Sequence, residues 1–339
     1  MNSSKYLIVA IAIFILLPNT TVSAHTPLFA QDNFELQSAY TINDPSKSWA
    51  IYANLPSIDQ AAYYQFQMDL GGKIDITLLT AQDPSQSHFL PSFALMVPEL
   101  SHQDVVPSFV DIPFGYGVMV VEGTDPGGAT YEAFAPGWFY QLANVTIIAP
   151  VSGIYYVAVY DTDYTGNYGL PVGYLEGFTI PDILILPYDL LLVFQWEGQN
   201  MFLVLLPMIL ALALGGTVLY WYNIKGKGPK HSVSKWLAAF GGLAFLGSAG
   251  INLYQMSLAL SITGWVQEAL FSIIFIAVPL ILSILALRYA FQDKAKLTIW
   301  YRLGLIVIGM IGLMLWTGLY LGPLFLIAAA LMPPYSKGK

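Results

Sequence analysis

Two short stretches carry residue types at spacings that suit a metal ion. Asp161-Thr162-Asp163-Tyr164-Thr165-Gly166-Asn167 sets oxygen donors at alternate positions, Asp161, Asp163 and Thr165, just ahead of a glycine. This is the first half of a calcium loop, where ligands at positions one, three and five precede a glycine that allows a sharp turn. Position twelve is Val172 rather than glutamate, so the stretch is not an EF-hand. It reads equally as a hairpin turn whose aspartates bond nearby backbone amides. The other candidate is His25, directly behind Val22-Ser23-Ala24, a small-residue cleavage site. Were the chain cut there, His25 would offer an amine and an imidazole to one copper ion, with His88 or His102 as a third ligand. Spacing does not bring the three histidines together, and a chance histidine behind a cleavage site is the alternative reading.

Other chemistry leaves no trace. The chain has no cysteine, which rules out disulfides, thiolate zinc sites, iron–sulfur clusters and a cysteine nucleophile. There is no HExxH and no GxSxG, and Gly226 to Lys230 lacks the Walker spacing. Asn144-Val145-Thr146 is a glycosylation sequon.

The elements that would position these residues fall into two halves. Residues 1–24 read as a secretory signal, with Lys5, an apolar core from Tyr6 to Leu17, and the cleavage site. From His25 to Asn200, nineteen acids face only Lys47 and Lys73, a net charge of −17 within an overall −8. That field repels nucleic acid, favours cations and keeps a domain soluble. Tyr64, Phe66 and Met68 alternate with polar residues, as do Ile74, Ile76 and Leu78, across Gly71-Gly72. The pattern predicts a hairpin with one buried face. Phe93 to Val97, Gly117 to Val121, Phe139 to Ile148 and Tyr155 to Tyr160 read as further strands, and Glu122 to Pro136 as a long ordered loop. Many short strands with such turns predict an all-β sandwich or barrel over residues 25–180. Residues 181–200 hold Pro, Tyr, Trp and leucines and read as an interfacial linker at the outer membrane face.

Two resemblances can be drawn. Tyr63-Tyr64-Gln65-Phe66, Gly71-Gly72-Lys73-Ile74-Asp75-Ile76, Gly153-Ile154-Tyr155-Tyr156-Val157-Ala158-Val159 and Gly166-Asn167-Tyr168-Gly169-Leu170 resemble the pre-peptidase C-terminal type of domain. That likeness covers about a third of the chain and implies a small jelly-roll sandwich, attached to secreted proteins and serving binding or maturation. Here the middle is longer and no protease accompanies it. His25 alone resembles the N-terminal histidine of periplasmic copper carriers and of copper monooxygenases with a histidine brace, which would imply a metal-dependent membrane oxidase subunit.

The second half, residues 201–332, is a series of apolar runs, each long enough to cross about 30 Å of hydrocarbon. They are Met201 to Tyr222, Trp236 to Tyr254, Val266 to Leu287, and Leu303 to Met332 with Pro323 inside it. The last run reads as one tilted or kinked helix, with a hairpin as the alternative. Lys225, Lys227, Lys230 and Lys235 lie in one connection, and Arg288, Lys294, Lys296 and Arg302 in another. The positive-inside rule puts both in the cytoplasm and the N-terminal half outside. Four crossings would put the tail, residues 333–339, outside too, against the hint of Lys337 and Lys339. The spans are nearly free of ionisable groups, which argues against a proton-coupled transporter. Ala238 and Gly242 form a small-xxx-small pair suited to close helix packing.

The expected architecture is an α+β membrane protein: an extracytoplasmic jelly-roll-like sandwich followed by a four-helix transmembrane bundle. The expected role is non-catalytic binding of an extracellular ligand or partner, with membrane lipid and another integral membrane subunit as neighbours and no nucleic acid. The second reading is the copper protein built on His25.

Overall fold

The computed structural model describes residues 25–229, 232–291 and 299–332. The expected signal segment, Lys230, Lys294, Lys296 and the tail with Lys337 and Lys339 lie outside the described residues. The chain divides into a β-rich unit, Ser23–Tyr131 with Trp138–Gln199, and a helical unit, Glu132–Gly137 with Asn200–Lys339.

Two sheets build the first unit. One has the order β1-β3-β11-β5-β9-β8, with β1 (Thr26–Phe29), β3 (Trp49–Leu55), β5 (Lys73–Thr80), β8 (Thr130–Glu132), β9 (Gly137–Ile148) and β11 (Gly166–Val172). The other runs β2-β4-β10-β6-β7, with β2 (Tyr40–Thr41), β4 (Ala61–Met68), β6 (Ser92–Pro98), β7 (Tyr116–Val121) and β10 (Gly153–Tyr160). The pairs β1–β3 and β2–β4 are parallel, and the other strand pairs with a described register are antiparallel. One apolar core draws on both sheets: Ile51, Ile74, Ile76, Leu78 and Leu170 from the first, and Tyr64, Phe66, Phe93, Leu95 and Val157 from the second. Inside it the hydroxyls of Tyr64 and Tyr168 meet at 2.6 Å, so each buried phenol has a partner.

The structure corrects the expected hairpin over Tyr64 to Leu78. β4 and β5 lie in different sheets, β4 between β2 and β10, β5 between β11 and β9. The turn at Gly71-Gly72 is tied instead to the opposite connection, with Gly71 N–H donating to Ala149 O and Ala149 N–H to Gly72 O. Alternation sets which residues point inward, and an arch between sheets satisfies it as well as a hairpin does. The other four expected strands match β6, β7, β9 and β10 closely.

A single turn, α1 (Pro84–Ser87), is capped by Asp83, and the segment expected as a linker is a helix, α2 (Ile180–Trp196). Thr179 and Asp182 form a capping box at the start of α2, and Pro181 sits in its first turn. Its far end is fixed by Trp196, whose indole N–H donates to Ala53 O (3.1 Å) and Tyr168 O (3.2 Å). Near its start, Lys47 pairs with Asp182 at 2.6 Å.

Among the described residues, the helical unit holds three helices long and apolar enough to cross a membrane: α3 (Met201–Ile224), α4 (Val233–Thr263) and α5 (Ala269–Ala290). The helix expected from Trp236 to Tyr254 runs on past Tyr254 to Thr263, where Gly264, with a φ of 74°, ends it. Ala238 is fully buried, and a Cβ on Gly242 would lie 2.9 Å from Leu287 Cγ of α5, so this small-residue pair seats a neighbouring helix.

The fourth apolar run is not one helix. It is a pair, α6 (Ile299–Met314) and α7 (Leu321–Leu331), joined by a 3-10 turn over Thr317–Tyr320. Trp316, Gly318, Leu319 and Tyr320 all have positive φ, so the chain reverses where no charged residue announces it. Arg302, at the start of the pair, donates from Nη2 to Met332 O at its end, 3.0 Å. The run therefore returns to the level of Arg302, which corrects the expected single tilted or kinked helix to its hairpin alternative. Glycines make room for this packing. Phe245 of α4 sits between Gly312 and Gly322, where a Cβ would come within 2.8 Å and 2.6 Å of its ring.

Candidate functional site

The residues expected to hold calcium lie in the connection from β10 to β11, where Asp161 ties the backbone together. Asp161 is buried, and its carboxylate accepts three backbone amides: Leu90 (3.0 Å), Asp163 and Tyr164 (both 2.9 Å). It closes the turn into β11 and pins the chain leading into β6; the aspartate bonds nearby amides as expected, but β10 and β11 lie in different sheets, so the turn is an arch between sheets and not the expected hairpin turn. Asp163 accepts from the Thr162 hydroxyl at 2.8 Å, and Thr165 is exposed.

The three histidines have separate neighbours. His25, at the foot of β1, hydrogen-bonds the Ser48 hydroxyl through Nδ1, and its pKa is lowered by burial against an opposing pull from Glu176. His88 takes a left-handed conformation after α1, with its ring 5.7 Å from that of Tyr164. His102 pairs with Asp104 at 2.9 Å. Among the described residues, no group of three or more His, Asp or Glu side chains is placed to hold a metal ion.

His102 and Asp104 belong to the feature that the motifs did not reveal, the long excursion between β6 and β7. The outer face of the second sheet is apolar and needs a cover. Val106, Phe109, Val110 and Ile112 supply it, packing over Tyr63, Ala94, Met96, Val118 and Ala158. The excursion is stitched down throughout its length. Asp111 N–H donates to the buried Tyr63 hydroxyl at 2.7 Å, and the Asp104 carboxylate accepts from Val120 N–H at 2.9 Å. That amide bond, together with His102, holds Asp104 below the usual carboxylate range despite some desolvation. Glu99 N–H meets Gly115 O, and Asp104 N–H meets Val118 O. A Cβ on Gly117 would collide with the carbonyls of Leu100 and His102, so only glycine lets the excursion cross β7.

Two large apolar side chains on this fixed frame take no part in the cover. Val105 is 94% exposed and Phe114 is fully exposed, in the Pro113-Phe114-Gly115 turn. Ordered loops that hold apolar groups in water offer a partner contact area at little cost in ordering. Sequence inspection could have flagged Phe114 from its Pro-Phe-Gly setting, but not its exposure.

A second arrangement lies within the helical unit. Ser272 of α5 donates to Ala133 O at 2.8 Å, and the Phe134 ring meets Phe275 at 6.1 Å, which in turn stacks on Trp316 at 5.6 Å. Asn252 of α4 donates to Phe275 O at 2.7 Å. At the head of this segment Glu132 accepts from Phe134 N–H through Oε1 at 3.0 Å. The residue keeps some surface, yet its carboxyl is enclosed, and burial pushes its pKa up to about 7 against the pull of the Phe134 and Ala133 amides. Such a group exchanges a proton near neutrality.

Compared with models of protein families and with curated proteins, the chain matches none.

Proposed function

We propose that this is a multi-pass protein of the cell membrane whose acidic β-rich unit lies outside the cytoplasm and binds a protein partner or other extracellular ligand without catalysis. In this reading the two sheets form a jelly-roll-like sandwich of the pre-peptidase C-terminal kind, and the helices anchor it. The observation that carries it is the fixed excursion over the second sheet, which presents Phe114 and Val105 to solvent while the rest of its apolar residues are consumed by the core. The surrounding charge of −17 directs the choice of partner toward basic or neutral surfaces and away from nucleic acid.

The same reading places Lys225, Lys227 and Lys235 with Arg288 and Arg302 in the cytoplasm. The return of α7 to Arg302 then brings the chain end to that side as well, where Lys337 and Lys339 accord with the rule that had counted against them. The reversal at Trp316–Tyr320 lies beside Ala244, ten residues or about 15 Å along α4 from Ser234, which bonds Ala329 O. With nineteen residues of α4 still to run, the α6–α7 pair is a re-entrant hairpin, its irregular backbone buried in protein as membrane depth demands.

A photo-crosslinking residue placed at 114 or 105 in native membranes tests the binding surface. A discrete adduct is expected from both positions and not from exposed Gln141 on the first sheet. No adduct, or the same adduct from 141, would refute it.

A further inference from the structure

Helix α2 carries a second exposed apolar surface, with a different neighbour. One face docks through Leu186, Val193 and Phe194, all buried. On another, Ile180, Leu184 and Tyr188 recur every four residues and are 75%, 63% and 59% exposed. Spacing of four puts them on one stripe. The acids of the helix lie off the stripe or are engaged: Asp182 is paired with Lys47, and Asp189 is buried. The stripe is thus uncharged from end to end, with a tyrosine on it.

Chain length says what covers it. Only Glu197 to Asn200 separate Trp196 from Met201, where the 24-residue apolar helix α3 starts. Four extended residues reach at most about 14 Å. If α3 crosses the bilayer, the end of α2 cannot leave the headgroup zone. An uncharged stripe with a tyrosine, held that close to lipid, has the character of an interfacial helix.

We propose that the Ile180–Leu184–Tyr188 stripe of α2 lies in the headgroup–acyl boundary of the bilayer, so that α2 runs along the surface and seats the β-rich unit on lipid. The inference rests on the reading of α3 as a membrane span. The absence of native cysteine makes a clean test possible. Single cysteines at 180, 184 and 188, at Asp69 as a water reference and at Leu210 as a span reference, would carry nitroxide labels in the full chain, reconstituted into phosphatidylcholine vesicles. Collision with oxygen is compared with collision with a water-soluble nickel chelate. The expected result is an oxygen-to-nickel ratio at all three α2 positions several-fold above that at 69 and below that at 210. Nickel access at 180 and 184 equal to that at 69 overturns the proposal, because α2 would then stand away from lipid. Low access to both reagents overturns it too, since protein would cover the stripe. Water-like collision at 210 would instead bring down the membrane reading of α3 itself, and the proposal with it.

Discussion

Glu132→Gln should stabilise the protein at pH 8 and leave it unchanged at acid pH. The Glu132 carboxyl has a pKa of about 7 in the fold against an ordinary value of 4.5, the cause being burial. Between those values the folded chain binds more proton than the unfolded chain, so this group's contribution to stability is fully present below pH 4.5. It is lost progressively as pH rises to 7 and stays lost above that. The full displacement corresponds to about 3 kcal/mol, and the surface the residue retains reduces this to roughly 2 kcal/mol. Glutamine cannot ionise, yet it keeps the oxygen that accepts the Phe134 amide. The variant should therefore melt higher than the parent at pH 8 by roughly 4–8 °C, on the usual scaling for domains of this size. The gap should shrink to roughly a quarter of that at pH 5 and vanish only below the unfolded value of 4.5. Thermal unfolding of both chains in the same detergent, followed by tryptophan emission at the two pH values, measures it. Asp189, raised to about 6 mainly by burial, shifts both chains alike and drops out of the difference. A gap that is the same at both pH values, or a variant less stable at pH 8, would refute the reasoning.

Three further expectations concern particular contacts. Trp196→Phe removes the N–H that serves Ala53 and Tyr168, and should cost about 1–2 kcal/mol; hydrogen exchange should rise across 180–196 before the strands are affected. Asp161→Ala leaves three backbone amides without their acceptor and should cost roughly 2–3 kcal/mol with or without calcium; a melting temperature that rises on adding millimolar calcium to the parent but not the variant would instead support the metal reading. Gly312→Val drives a side chain into the Phe245 ring and should cost about 1–3 kcal/mol, whereas Gly127→Val, in open space but at a φ of +72°, should cost only about 1 kcal/mol of backbone strain; equal losses in paired melting curves would contradict the tight helix packing.

Local pattern carried the strands and the long helices well, because burial on one face writes alternation, and a long unbroken apolar run writes a long helix. It did not carry pairing. Tyr64 to Leu78 has the same inward residues whether β4 and β5 are neighbours or face each other across the core, so the arch was invisible. The reversal between α6 and α7 was hidden for another reason: Gly318 marks it only weakly among the many glycines of the apolar runs, and its neighbours Trp316, Leu319 and Tyr320 adopt positive φ under tertiary packing, which their residue types do not announce. Among the site residues, the turn reading of Asp161 could be drawn from spacing, but its bond to Leu90, 71 positions away, could not. The exposure of Phe114 depends on which apolar residues the second sheet consumes, which no single stretch of chain encodes.

Sidedness is the claim on which the rest depends. In this cysteine-free chain, single cysteines at Asp69 and Lys227 and one appended after Lys339 can be challenged with a membrane-impermeant maleimide on intact cells. Labelling is expected at position 69 at once, and at 227 and the appended cysteine only after the cells are permeabilised. Immediate labelling at 227 with protection at 69 would contradict the orientation, and immediate labelling of the appended cysteine alone would contradict the returning α6–α7 hairpin.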